Sequence, residues 1–304
     1  MFVIRHRKIF YCLSLILVVS SIVAVSLWGI DFGIDFTGGS LLEINLPNSS
    51  LDKTVIEQAI SSLNLGKDFL VQETGDTGFI LKSKTLSTNE KDAVVSVIRE
   101  RAGEVEEIKF NSIGPTLGRE LRSKALLAII VVILSIMIYV AIAFSGVSKP
   151  VSSWKYGLIT VIAFVHDVSV PIGLFSFLGR FYGVEVDTLF VIAILVVLGY
   201  SVNDTIVVFD RIRENLKNIP ENQRNSRFDD IVGEGLSQTF GRSINTSLTT
   251  LLALFALVIL GSEATKWFSL ALIAGITVGT YSSIFFAAPM LVTMHKWQNR
   301  NLKR

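Results

Sequence analysis

Three polar features stand where the surrounding hydropathy permits almost none. Asn203 and Asp204 lie inside 199–215, a stretch that leaves the apolar run 189–198 and ends in the charged cluster Asp210, Arg211, Arg213 and Glu214. His166 and Asp167 sit side by side near the middle of another apolar run. Arg242 precedes a run opened by Ser243, Asn245, Thr246, Ser247, Thr249 and Thr250, and residues 242, 246 and 249 share one helical face. A carboxylate inside a membrane span costs several kcal/mol unless it is protonated, hydrated or paired, so each such group is by default a functional candidate. The chemistry on offer is proton binding and charge pairing. If the spans carrying Asp204 and Arg242 are antiparallel neighbours, the two residues lie at compatible depths and are expected to pair. Attraction would then hold two helices together while Asp204 is ionised and would be lost on protonation.

Each feature also has a plainer reading. A carboxylate and an arginine within a bundle serve equally to fix helix register, and hydroxyl groups in spans often only bond neighbouring helices. His166 and Asp167 point about 100° apart on a helix, so adjacency alone does not make them act together, and Asp167 is the harder of the two to dismiss. Asp210 to Glu214 reads as an interfacial cluster that stops a span. Gly275, Gly279 and Ser283 form a small-residue stripe that points to close helix packing before it points to a ligand path.

The elements that must position these groups are set by composition. The chain has 304 residues, half of them hydrophobic and 18% charged, with a mean hydropathy of +0.56. That is too apolar for an ordinary soluble domain and long enough for several spans, so it implies a polytopic α-helical membrane protein. The net charge of +2 does not suggest nucleic-acid binding. A single cysteine, Cys12, in an apolar run excludes an intrachain disulfide and offers no metal site. Apolar runs at 9–30, 125–144, about 156–178, 186–209, 244–260 and 267–291 predict six spans. The first is read as an uncleaved anchor, because its apolar run exceeds a signal-peptide core.

Between the first two spans, 31–122 changes to short alternating and amphipathic segments and predicts an extracytoplasmic α+β domain. The expected strands are 40–46, 69–73, 78–83 and one alternating through Val105, Ile108, Phe110 and Ile113. Pro47-Asn48 ends the first strand, and a turn at 74–77 joins the second and third. Helices are expected at 52–63 and after Ser87, which makes a capping-box signature with Glu90. Strand, helix, strand, strand, helix, strand is the order of a ferredoxin-like split βαβ unit. No nucleophile and base occur at a recognisable spacing, so the chain is not expected to be an enzyme.

The remaining 123–304 carries five spans and a basic C-terminus. Its cytoplasmic connection at 211–241 is expected to end in a short amphipathic helix through Phe228, Ile231, Val232, Leu236 and Phe240, packed on the cytoplasmic face or the bundle. Basic residues fall on the side of the N-terminus: Arg5, Arg7 and Lys8, Lys149 and Lys155, Arg211 and Arg213, and the tail with Lys303 and Arg304. The two short external loops hold Arg180 and Lys266. The positive-inside rule therefore puts both termini in the cytoplasm. Trp28, Trp154, Trp267 and Trp297 all fall at predicted helix ends, where amphipathic rings prefer the interface.

Taken together, Gly33-Ile34-Asp35-Phe36-Thr37-Gly38-Gly39 after the first span, Gly114-Pro115 before the second, His166-Asp167 in the third and 200–215 in the fourth resemble the SecF family. These are accessory subunits of the bacterial Sec translocase in the resistance-nodulation-division superfamily. The resemblance covers nearly the whole chain. It implies a partner, SecD, that supplies six further spans, and work beside the SecYEG channel on exported unfolded polypeptides in the bacterial inner membrane. It implies that the proton-motive force drives the work, with protons as coupling ion and no cofactor or metal. The family's proton-path carboxylate in this half falls on Asp204 and its basic partner on Arg242, and the main acidic site belongs to the SecD half; Asn203 and Asp167, as polar groups at membrane depth, are the further candidates for the proton path. Motion of the bundle would reach the outer domain through Gly114-Pro115.

Other classes of reading stay open at this point. Asp167 and Asp204 on neighbouring spans suggest an intramembrane aspartyl protease sharing a proton between two carboxylates. Against it, no Gly-x-Gly-Asp motif occurs, and the two groups differ in depth by roughly 9 Å at 1.5 Å per residue. Half of a small-molecule exporter, or a purely structural scaffold, are the others.

Overall fold

The computed structural model describes residues 2–47, 52–63, 65, 69–74, 77–144 and 150–301. The expected turns at Asn48 and Gly75-Asp76, and the basic residues Lys149, Lys303 and Arg304, lie outside the described residues. The chain divides into two compact units, one formed by Met1–Asp31 with Leu127–Arg304 and the other by Phe32–Leu126.

In the first unit a short α1 (Phe2–Arg5) leads into α2 (Arg7–Trp28). The second unit holds α3 (Ile34–Thr37), β1 (Gly39–Asn45), α4 (Lys53–Ser61), β2 (Phe69–Thr74), β3 (Gly78–Ser83), α5 (Thr88–Ala102) and β4 (Glu106–Ile113). The chain continues through α6 (Pro115–Ala143), α7 (Ser153–Tyr182), α8 (Thr188–Lys217), α9 (Glu221–Arg224), α10 (Phe228–Leu260) and α11 (Glu263–Tyr281). A π-helical turn at Ser282–Ala287 then gives way to α12 (Ala288–Asn301).

Among the described residues six helices are long and apolar enough to cross a bilayer: α2, α6, α7, α8, α10 and a last one, Thr265–Asn299, assembled from α11, the π turn and α12. Half or more of the apolar window is buried in α7, α8 and the last helix, against 6% in α6. The two helices that carry the singled-out carboxylates are thus central, and α6 presents its apolar residues outward. Cys12 is exposed on α2 rather than packed in the chain.

One sequence expectation about this unit is corrected. The short amphipathic helix on the cytoplasmic connection is not separate, because α10 runs without a break from Phe228 to Leu260. Phe228, Ile231, Val232 and Leu236 are buried in the same core as Val208, Ile212 and Leu216 of α8, so packing holds the helix through Gly233 and Gly235. Past the charged cluster 210–214, α8 continues as a helix to Lys217. Val208, Phe209, Ile212 and Leu216 form one fully buried face, while Arg211 pairs with Glu214 at 2.5 Å.

The second unit is a four-stranded antiparallel sheet in the order β2-β3-β1-β4. Leu42 and Ile44 of β1, Val71 of β2 and Leu81 of β3 alternate inward and share a core with Ile56 of α4 and Val94 and Ile98 of α5. The capping box forms as its spacing requires: Ser87 Oγ accepts from Glu90 N, and Glu90 Oε2 accepts from Ser87 N at 2.8 Å. Ile108 is the exception to the expected alternation. Glu43 opposes Lys109 and Ile44 opposes Glu107, so Ile108 is the surplus residue of a bulge and is 56% exposed.

The stretch 33–39, expected only as a motif, contains the helical turn α3 and two glycines with positive φ, Gly38 at 74° and Gly39 at 138°. A Cβ on Gly38 would lie 2.7 Å from Pro115 Cα, and one on Gly118 would lie 2.8 Å from Gly38 N. Arg122 covers the Phe32 ring at 4.5 Å. Residues 115, 118 and 122 share one face of α6, so the first turns of that helix are fastened to the chain where it enters this unit.

Candidate functional site

The site is built on a seam between α8 and the last helix, which run parallel. Gly275 meets Val197, Gly279 meets Ser201 and Ser283 meets Thr205, four residues apart on each helix. Gly275 has no room for a Cβ against Val197, and a Cβ on Gly279 would lie 3.1 Å from that of Ser201. Thr205 and Ser283 exchange a hydroxyl hydrogen bond of 2.8 Å. The small-residue stripe therefore brings two backbones together and leaves its hydroxyls as the polar lining.

From the other side α7 inserts Asp167, which is wholly buried. Its Oδ2 accepts from Ser201 Oγ at 2.5 Å and from Ser282 Oγ at 2.9 Å, and its Oδ1 shares a hydrogen bond of 3.0 Å with His166 Nδ1. A carboxylate there is affordable because donors from three helices replace its water. His166, 3% exposed, lies between the Phe286 ring at 5.6 Å and the Tyr281 ring at 6.1 Å, and its Nε2 is buried without a partner. The two residues, which adjacency alone did not couple, are joined by this hydrogen bond. The ring turns toward the next residue's carboxylate, so the helical offset between their Cβ atoms does not keep them apart.

Asp204 lies one turn further along α8. It is 6% exposed and faces the Ser243 hydroxyl of α10, yet its Oδ2 and Ser243 Oγ are each buried without a hydrogen bond. The expected pairing of Asp204 with Arg242 is not made among the described residues. Ser243 and Ser247 occupy the buried face of α10, the latter bonding Thr280 at 2.6 Å. One residue back is about 100° round the helix, so Arg242 is exposed. Residues 242, 246 and 249 do share a face, and it is the outward one, with Asn245 and, on α8, Asn203 also exposed. The protease-like pairing of Asp167 with Asp204 is not made either, since both Asp167 oxygens are occupied by His166, Ser201 and Ser282.

Sequence reasoning missed Ser201, Ser282 and the part played by His166. Ser201 lay inside 199–215 and Ser282 next to Ser283 of the stripe, so both were within reach of the argument. Nothing in the residue types announces the π turn.

A family model described as protein export membrane protein SecD/SecF, C-terminal, matches residues 93–297. Protein translocase subunit SecF of Thermobaculum terrenum is 39% identical over 99% of this chain and 95% of the relative. The chain belongs to the SecF family. The SecF subunit of a Synechocystis strain is 34% identical over 97% of this chain and 94% of its own length. Among solved structures, SecDF from Thermus, a translocon-associated membrane protein, superposes with a TM-score of 0.80 at 30% identity over 97% of this chain. A SecDF in a super-membrane-facing form superposes with a TM-score of 0.64 at 28% identity over the whole of this chain. This chain spans 38% and 39% of those two. The resemblance carried by the sequence motifs is borne out, and the polytopic fold and the role as a protein-translocation subunit follow from it. Asp167, Ser201, Asp204, Arg242 and Ser282 all lie within the matched family region.

Proposed function

We propose that this chain is the SecF half of a SecDF-type export machine, in which protonation of Asp204 couples the proton-motive force to polypeptide movement. The observation that carries the reading is Asp204 itself: a carboxylate inside a span, 6% exposed, with Oδ2 unpartnered. Leaving such an atom unpaired costs about 1–3 kcal/mol, which register alone does not require. The exposed polar face of Asn203, Arg242, Asn245 and Thr246 is costly against lipid and fits cover by a second subunit, for which SecD is the natural identity. Arg242 would then bear on the coupling from that interface rather than as a direct partner of Asp204 within this chain. The further partners are SecYEG and the exported polypeptide, and the setting is the bacterial inner membrane with both termini cytoplasmic. Intramembrane proteolysis has no geometric support.

The test is Asp204→Asn and Arg242→Lys in the complex with SecD, assayed for gradient-driven export with accumulation and SecD association verified. Both are expected to fall toward the level seen with the gradient collapsed. Undiminished export in both would sink the proposal.

A further inference from the structure

We infer that His166 and Asp167 form a second proton-binding site in this chain, with His166 Nε2 as the atom that takes the proton and the π turn as the element that responds. The inference rests on the proton-coupled reading above and adds to it a site distinct from Asp204.

A knot that served only to hold α7, α8 and the last helix together would use every buried polar atom. This one does so at Asp167, whose two oxygens accept three bonds, and fails to at His166 Nε2, which is buried and bare. With the carboxylate accepting, Nδ1 carries the hydrogen, so Nε2 of the neutral ring offers a lone pair. A proton arriving at Nε2 makes an imidazolium hydrogen-bonded to the Asp167 carboxylate. Transfer of the Nδ1 hydrogen to Oδ1 then yields a neutral ring carrying hydrogen on Nε2 and a neutral carboxylic acid. One proton enters, one shifts across the 3.0 Å bond, and the charge of Asp167 is cancelled.

The consequence falls on Ser282. Its single hydroxyl hydrogen has two acceptors in reach, Asp167 Oδ2 at 2.9 Å and Gly279 O of its own helix at 3.0 Å. A carboxylate is the stronger acceptor by about twofold, and a neutral acid loses that advantage. Protonation therefore turns Ser282 from α7 back to its own backbone, at the first residue of the π turn Ser282–Ala287. A π turn holds a surplus residue relative to the α-helix around it, so a second register is available to the last helix where the tie is released. Titratable side chains around the pair include Tyr281 of α11, Tyr11 of α2, whose ring packs on Phe286, and Asp204 of α8, one turn beyond Ser201. Of these Tyr281 lies against the His166 ring, with its hydroxyl bound to Phe10 O at 2.8 Å. Among the described residues no lysine or arginine lies within ion-pair distance of Asp167, and His166 is its one basic neighbour.

The decisive variant is His166→Asn, in which the amide nitrogen keeps a donor where Nδ1 stood but takes no proton. In the SecD complex reconstituted in vesicles, it is expected to preserve assembly and ATP-driven insertion while gradient-driven export falls to the gradient-collapsed level. Export by His166→Asn equal to the unsubstituted complex, with Asp204→Asn defective, overturns this inference and leaves the parent reading intact. Normal export in both variants overturns both. Should His166→Asn fail to assemble, the intact complex decides: the chain has three histidines, so ¹⁵N-histidine spectra resolve His166. An Nε2 resonance that changes with pH over the range where gradient-driven export changes supports the site, and one that stays constant overturns it.

Discussion

Asp167 and Asp204 are the same residue type on neighbouring helices, and their surroundings give them opposite characters. Asp167 is saturated with donors, while Asp204 faces one hydroxyl that it does not bond. Ser201→Ala removes a 2.5 Å donor for which Asp167 Oδ2 has one substitute, Ser282. We expect a loss of about 1–3 kcal/mol, read as a lower midpoint of thermal unfolding in detergent. Thr205→Val in the same helix breaks a neutral hydroxyl pair with Ser283 and should cost about 1 kcal/mol or less. The candidacy of both carboxylates was legible in the sequence because charge in an apolar run is conspicuous. Their partners were not, because partners depend on how each helix is turned about its axis. Arg242 and Ser243 differ by one position, and that position decides which one faces Asp204.

At the level of elements, the seam between α8 and α11 tolerates little. Gly275→Leu would drive a side chain into Val197, where there is no room even for a Cβ, and overpacking of this kind typically costs about 1–3 kcal/mol or more. Reduced accumulation of the variant, relieved by Val197→Ala, is the outcome to look for; failure of that relief would show that the contact does not govern the packing. In the outer unit Lys91 ties α5 to β4 through Glu107 and also bonds Asp92, both at 2.7 Å, and these two carboxylates raise its pKa above the usual lysine value. Its contribution is present below the ordinary lysine pKa and is lost as pH rises through the raised one. Lys91→Met should cost less than about 1 kcal/mol at neutral pH, as expected for a pair near the surface. The number of spans and the strand order could be read from period and turn residues. The unbroken α10 and the bulge at Ile108 could not, since Gly235 packs closely on Ile212 in the one case and a single extra residue reverses the facing in the other.

As a whole molecule the chain spans 38% of the Thermus SecDF to which it is similar. The apolar window of α6 is 6% buried, and α10 turns a polar face outward. The block 32–126, with its own apolar core, should fold when expressed alone with Leu126 and Leu117 made polar, giving a cooperative thermal transition by circular dichroism. A non-cooperative melt would show that it relies on the spans. The fastening of Phe32 to Arg122 and of Gly38 to Pro115 and Gly118 bears on how this part of the gene can vary. A segment whose beginning and end are latched to each other is a cassette. It can be lengthened, redecorated or exchanged for the matching piece of a relative with the two splice points held in place by the latch carried inside the insert.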